Sequence, residues 1–87
     1  MTRRSKLEII YDILKAIEEK GGAIKPTHLL YKSNLSHVKM KEYITELSGK
    51  EMLTETADPK VYVLTDTGRK FIVQYKQMKE FSESFGL

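Results

Sequence analysis

One short stretch concentrates the side chains most able to do chemistry: Ser33-Asn34-Leu35-Ser36-His37-Val38-Lys39-Met40-Lys41-Glu42-Tyr43. Serine, imidazole and ammonium groups at Ser36, His37, Lys39 and Lys41 donate to phosphate or guanine oxygens, which suits a row of them to holding a polyanion. From Gly21 to Lys41 there is no acidic residue, although 12 Asp and Glu among 87 residues would place about three there. The same window holds Lys25, Lys32 and both histidines, His28 and His37. Arg3, Arg4 and Lys6 form a second basic cluster at the N-terminus. The formal charge is only +3, so the placement of the cations matters more than their number.

These residues do not assemble a catalytic set. The histidines are nine positions apart with neither HxxxH nor HExxH spacing, and the chain has no cysteine, which excludes disulfides and thiolate metal sites. Gly21-Gly22 reads as a helix stop rather than a phosphate loop, and Asp12, Glu18 and Glu19 read as a solvated helix face. No enzyme activity, metal, cofactor or small-molecule ligand is expected. No apolar run approaches the roughly 18 residues that a membrane span needs. The basic Met1–Lys6 segment leads into an amphipathic stretch rather than a signal-peptide core, so a cytoplasmic location is expected.

The elements that must carry the basic residues follow from pattern. Ser5-Lys6-Leu7-Glu8 has the form of a capping box and opens a helix with an apolar stripe at Leu7, Ile10, Ile13, Leu14 and Ile17. Lys20-Gly21-Gly22 ends it. Ala23-Ile24-Lys25 is too short for an independent strand but could pair with strands further on. Pro26 suits the first turn of a short helix to about Lys32, with Leu29, Leu30 and optionally Tyr31 inward. Ser33-Asn34 breaks that helix, and Ser36 caps a third running to about Lys50 around Met40, Ile44 and Leu47. Met52–Thr56 and Val61–Leu64 flank an Asp58-Pro59 turn and read as a hairpin. Thr65 then caps a helix to about Ser84.

Helix, helix, helix, hairpin, long helix is the order of a winged helix-turn-helix: mainly α with a small β-hairpin. Residues 1–66 would form the winged unit, and 67–87 a C-terminal helix of the same single domain. In that arrangement the N-terminal residues of the third helix enter a major groove of double-stranded DNA. Ser36, His37 and Lys39, with Lys41 a turn on, would meet the groove. Thr27, Lys32, Ser33 and Asn34 would support them from the second helix and turn, Lys60 from the wing tip, and Arg3, Arg4 and Lys6 from beside the first helix. No Arg, Asn or Gln lies on the third helix's basic face, so weak sequence readout is expected. The alternative is a winged-helix module that binds protein instead of DNA.

Arg3–Leu14, Lys25–Ser36, Tyr43–Leu53 and Val61–Phe71 together resemble the ten-kilodalton archaeal winged-helix DNA-binding proteins of Sulfolobus-type organisms, discussed as chromatin-associated. The resemblance includes a Leu64-Thr65-x-x-Gly68 signature shared with archaeal transcription regulators, and it departs from the pattern at Glu51, where such domains often have glycine. It implies a nucleoid-associated homodimer, architectural or regulatory, joined by an antiparallel coiled coil of the C-terminal helices. The residues of that helix point the same way. Phe71, Tyr75, Met78 and Phe85 fall at spacings of 4, 3 and 7, with Ser82 in a weak layer and Ile72 and Phe81 widening the stripe. Phe71 and Ile72 are also expected to fold back onto the core, leaving Tyr75 onward for a second copy.

Overall fold

Ser5 and Glu8 form a reciprocal cap: Glu8 N donates to Ser5 Oγ at 3.1 Å, and Ser5 N donates to the Glu8 carboxylate at 3.4 Å. From this cap α1 (Lys6–Glu19) runs through the middle of a computed structural model that describes residues 4–87. There follow β1 (Ala23–Ile24), α2 (Pro26–Ser33), α3 (His37–Gly49), β2 (Leu53–Glu55), β3 (Tyr62–Leu64) and α4 (Asp66–Ser84). The expected winged order is therefore present.

Helix ends follow a common chemistry. After α1, Gly21 N donates to Glu18 O and Gly22 N to Ile17 O, the paired bonds of a Schellman motif, with Gly21 at φ 85°. After α3 the same two bonds recur, Glu51 N to Ser48 O and Met52 N to Leu47 O, but the left-handed residue is Glu51 at φ 61°. The expected difference at this exit is thus one of residue and not of geometry: a glutamate occupies the glycine position. Asn34, at φ 56°, ends α2 one residue later than its pattern suggested.

The wing is wider than a hairpin. β3 pairs antiparallel with both β2 and β1, giving the order β1-β3-β2. Ile24 faces Tyr62, Leu53 faces Leu64, and Leu64 N reaches Gly22 O at 2.8 Å. β3 is paired on both sides, and three strands with a buried face are stable where an isolated hairpin is marginal.

Ile13, Leu14, Ile17, Leu29, Leu47 and Leu53 are almost fully buried, and Ile10, Ile24, Met40, Ile44, Tyr62, Leu64 and Ile72 complete one continuous core. Two inward assignments are corrected. Leu7 is about half exposed, the buried stripe of α1 beginning at Ile10, and Tyr31 is 86 % exposed because α2 buries only Leu29 and Ser33.

Gly68 lets α4 meet the sheet. A Cβ there would collide with the Met52 carbonyl and come within 2.6 Å of Leu64 Cδ1. Thr65 completes the junction, accepting from Gly68 N at 3.1 Å and donating to the Glu51 carbonyl at 2.6 Å. These contacts explain physically why leucine, threonine and glycine occur together here. Beyond Ile72 no residue of α4 is buried, and the molecule extends to 46 Å along its long axis.

Candidate nucleic-acid interface

Ser36 starts α3 by accepting a hydrogen bond from Lys39 N at 3.1 Å. No acidic residue occupies the first turn, so the positive end of the helix dipole is uncancelled where His37 and Val38 emerge. His37, Lys41 and Thr45 recur every four residues and line a cleft of about 300 Å³. Thr27 and Leu30 of α2 form its second wall, and Glu55, Lys60 and Tyr62 of the wing its third. Val38, 68 % exposed, and Glu42 lie on the outer side of α3, in a shallower groove shared with His37, Lys41 and Thr45. Val38 therefore presents its methyl groups outward instead of packing into the core.

Thr56 secures the wing tip. Its N donates to Val61 O at 3.0 Å, and its hydroxyl accepts from Val61 N at 3.0 Å and donates to Pro59 O. Lys60 is held in this loop and remains exposed.

The other anticipated cations divide by partner. Lys39 sits 3.7 Å from Glu42 on its own helix, a partial neutralisation between two exposed groups. Lys6 pairs with Glu46 of α3 at 2.9 Å, and Lys50 approaches the same carboxylate at 3.4 Å. The hydrogen bond to the Glu46 carboxylate, then its charge, raises the Lys6 pKa, and Glu46 is held below the ordinary carboxylate range chiefly by the hydrogen bond from Lys6. Arg4 bonds Asp12 and the Ser33 carbonyl, each at 2.8 Å. Both N-terminal cations are thus engaged with the fold. Arg3 lies outside the described residues.

Ser33 requires correction. It is 1 % exposed, and its hydroxyl donates to Leu30 O at 3.3 Å. A small polar side chain fits beneath the turn because the helix supplies its acceptor, and a phosphate cannot reach it. Asn34 and Lys32 are exposed beside Arg4, on a different flank from the cleft. His28 is half-buried between Lys20 and Lys32; burial, then those two charges, lowers its pKa and favours the neutral ring.

Two exposed cleft residues escaped the sequence reading. Thr45 was detectable as the next step of the His37–Lys41 spacing. Glu55 was not, because only the strand register places it opposite the helix.

On α4, Tyr75 packs on Tyr11 of α1 with centroids 4.7 Å apart and rings tilted by 32°, and Phe71 lies 6.0 Å from Tyr75, nearly parallel. Burial, then the nearby Glu8 charge, raises the Tyr75 phenol pKa. Phe71 and Tyr75 therefore spend much of their apolar surface within the chain. Met78, Phe81 and Phe85 are each more than half exposed, with the two phenylalanine rings 5.1 Å apart. Among the described residues, no helix is long and apolar enough to cross a membrane, and no cluster of three or more potential ligands could hold a metal ion.

Comparison with known proteins agrees with this architecture. The chain is 32% identical over 76 residues to the uncharacterized protein MJ0290 of Methanocaldococcus jannaschii, covering 87% of this chain but only 34% of that protein, so it spans about a third of that relative's length. Sso10a-2, a DNA-binding protein from Sulfolobus solfataricus, superposes with a TM-score of 0.81 at 23% identity, over 94% of this chain and 85% of that one. BpsR of Bordetella bronchiseptica, whose DNA binding is regulated by 6-hydroxynicotinic acid, superposes with a TM-score of 0.70 at 22% identity, over 87% of this chain and 58% of that one. At these identities the structural likeness concerns the fold. A family profile described as winged helix-turn-helix matches residues 3–83, and the chain belongs to the winged helix-turn-helix family.

Proposed function

We propose that this protein binds double-stranded DNA through α3 and the wing, as a homodimer with weak sequence preference and an architectural or transcription-regulatory role at the nucleoid. The observation that carries the reading is the cleft in which His37, Lys41 and Thr45 face Lys60 and Thr27. A groove with cationic and hydroxyl groups on opposite walls suits a sugar–phosphate strand, while α3 beside it enters the major groove. The DNA-binding character of Sso10a-2, alike in fold, supports the same choice of partner. The basic groups of the exposed first half of α3 are His37, Lys39 and Lys41, and lysine acts as a point charge on phosphates of any sequence.

The dimer rests on α4. Met78, Phe81 and Phe85 form an apolar surface that a second α4 would cover, in an antiparallel pair with one winged unit at each end. Phe71 and Tyr75 would contribute only the edges left by Tyr11.

The deciding experiment titrates the protein against an unrelated duplex at several salt concentrations and measures its mass in solution alongside. Binding that weakens steeply with salt, by a particle of twice the monomer mass, is expected. Absence of binding at low salt overturns non-specific DNA binding and leaves either a strictly site-specific regulator or a protein-interaction module.

A further inference from the structure

We propose that Arg4 is a positioning residue for DNA binding: it fixes the α2–α3 turn from the inside and takes no phosphate itself. The proposal rests on the DNA-binding reading and changes what Arg4 does within it. A basic N-terminal cluster suggests a backbone clamp, whereas the geometry places this guanidinium across two elements of the fold. Its Nη1 donates to Asp12 Oδ2 in α1, and its Nη2 donates to the carbonyl of Ser33, the last residue of α2. Both distances are 2.8 Å, and the arginine side chain is only 32 % exposed.

The chemistry of each contact favours this use. Carbonyls in the last turn of a helix have no intrahelical donor, and a cation there also meets the negative end of the helix dipole. The planar fork can serve a carboxylate and a carbonyl together, which a single ammonium cannot do with the same geometry. Asp12 cancels the arginine's charge locally, which weakens its attraction for an external phosphate.

The position explains the consequence. Between the clamped Ser33 carbonyl and the first residue of α3 lie Asn34 in a left-handed conformation, half-buried Leu35 and the Ser36 cap. This short, conformationally defined connector transmits any tilt of the end of α2 to α3. His37 and Lys41 occupy the half of α3 nearest that connector, so their approach to a duplex depends on Arg4 although Arg4 lines a different surface depression.

The test compares the wild-type chain with Arg4→Ala, Arg4→Lys, Asp12→Asn and Lys41→Ala by titrating a duplex over a salt series, with amide exchange measured on the free proteins. Arg4→Ala is expected to bind roughly three- to ten-fold more weakly because the competent orientation is populated only part of the time. Its slope of log affinity against log salt should match wild type, whereas Lys41→Ala should have a shallower slope. Arg4→Lys should bind more weakly than wild type with its charge intact. Asp12→Asn separates positioning from charge: loss of a negative charge alone tightens DNA binding, and loss of the brace weakens it. Amide exchange across residues 34–39 should accelerate in Arg4→Ala while the amides of Leu14 and Ile17 keep their protection. A slope reduced by about 0.9 per arginine removed would make Arg4 a phosphate contact and overturn the proposal. So would wild-type binding by Arg4→Lys, tighter binding by Asp12→Asn, or unchanged exchange across residues 34–39. If the wild-type chain binds no duplex, the functional reading fails by itself, and the exchange result decides whether Arg4 braces the turn.

Discussion

Lys39 and Lys41 are two positions apart on α3 and differ in what surrounds them. Lys39 has Glu42 at 3.7 Å, whereas Lys41 opens onto the cleft shared with the wing. Lys41→Ala is therefore expected to weaken duplex binding more than Lys39→Ala, and to make the salt slope shallower by about 0.9 per protomer if it removes one phosphate contact. Parallel titrations of the two variants check both parts. Glu46 makes a separate prediction about folding. Its carboxyl lies below the ordinary value of 4.5 in the folded state, so its stabilising contribution is present above that value and is lost as pH falls through the lower folded one. Lys6, raised above 10.5, contributes fully below that value and loses its contribution as pH rises through its folded pKa. Glu46→Gln should flatten the acid limb of stability against pH slightly, since both partners are solvent-screened, and urea midpoints across that limb measure it.

At the scale of elements, the α3 exit and the entry to α4 are built as one joint. Glu51 supplies the left-handed residue and the carbonyl that Thr65 bonds, while Gly68 lets the next helix approach Met52. Glu51→Gly should stabilise the fold by about 0.5–1 kcal/mol, relief of left-handed strain being partly offset by the freer unfolded chain. Gly68→Ala should cost about 1–3 kcal/mol because the added methyl group meets backbone. Chemical denaturation distinguishes the two signs. Much of this architecture was legible in local chemistry: Ser5-x-x-Glu8, Pro26, Ser36 and Thr65 each act on backbone groups within a few residues, and helical spacing identified most of the stripe on α1. What local chemistry left illegible depends on neighbours distant in sequence. The register of Ala23–Ile24 against β3, the reach of Arg4 across 29 positions to the Ser33 carbonyl and the packing of Tyr75 on Tyr11 are contacts between elements that no local pattern encodes. A count of cations could not separate those facing solvent from those holding helices together.

At the scale of the whole molecule, α4 begins in the core and ends as an arm. Its buried residues are Gly68 and Ile72, and beyond Tyr75 its large apolar groups Met78, Phe81 and Phe85 are more than half exposed among the described residues. In the proposed dimer, replacing Phe81 and Phe85 together with aspartate should yield a monomer by sedimentation with the winged fold retained by circular dichroism. The wild-type Tm should rise with protein concentration and that of the double variant should not. On the DNA-binding reading, Glu55 adds a kinetic dimension to such an assembly. It is a carboxylate on the wing wall of the very cleft through which a phosphate strand would pass. Repulsion there would shorten each encounter, and Glu55→Gln should slow dissociation, measurable as a lower off-rate in competition with unlabelled duplex. A dimer with one such cleft per protomer can let go at one end while the other still holds. On that reading such a dimer would leave a duplex stepwise, and a released end could settle on a neighbouring stretch before the other lets go.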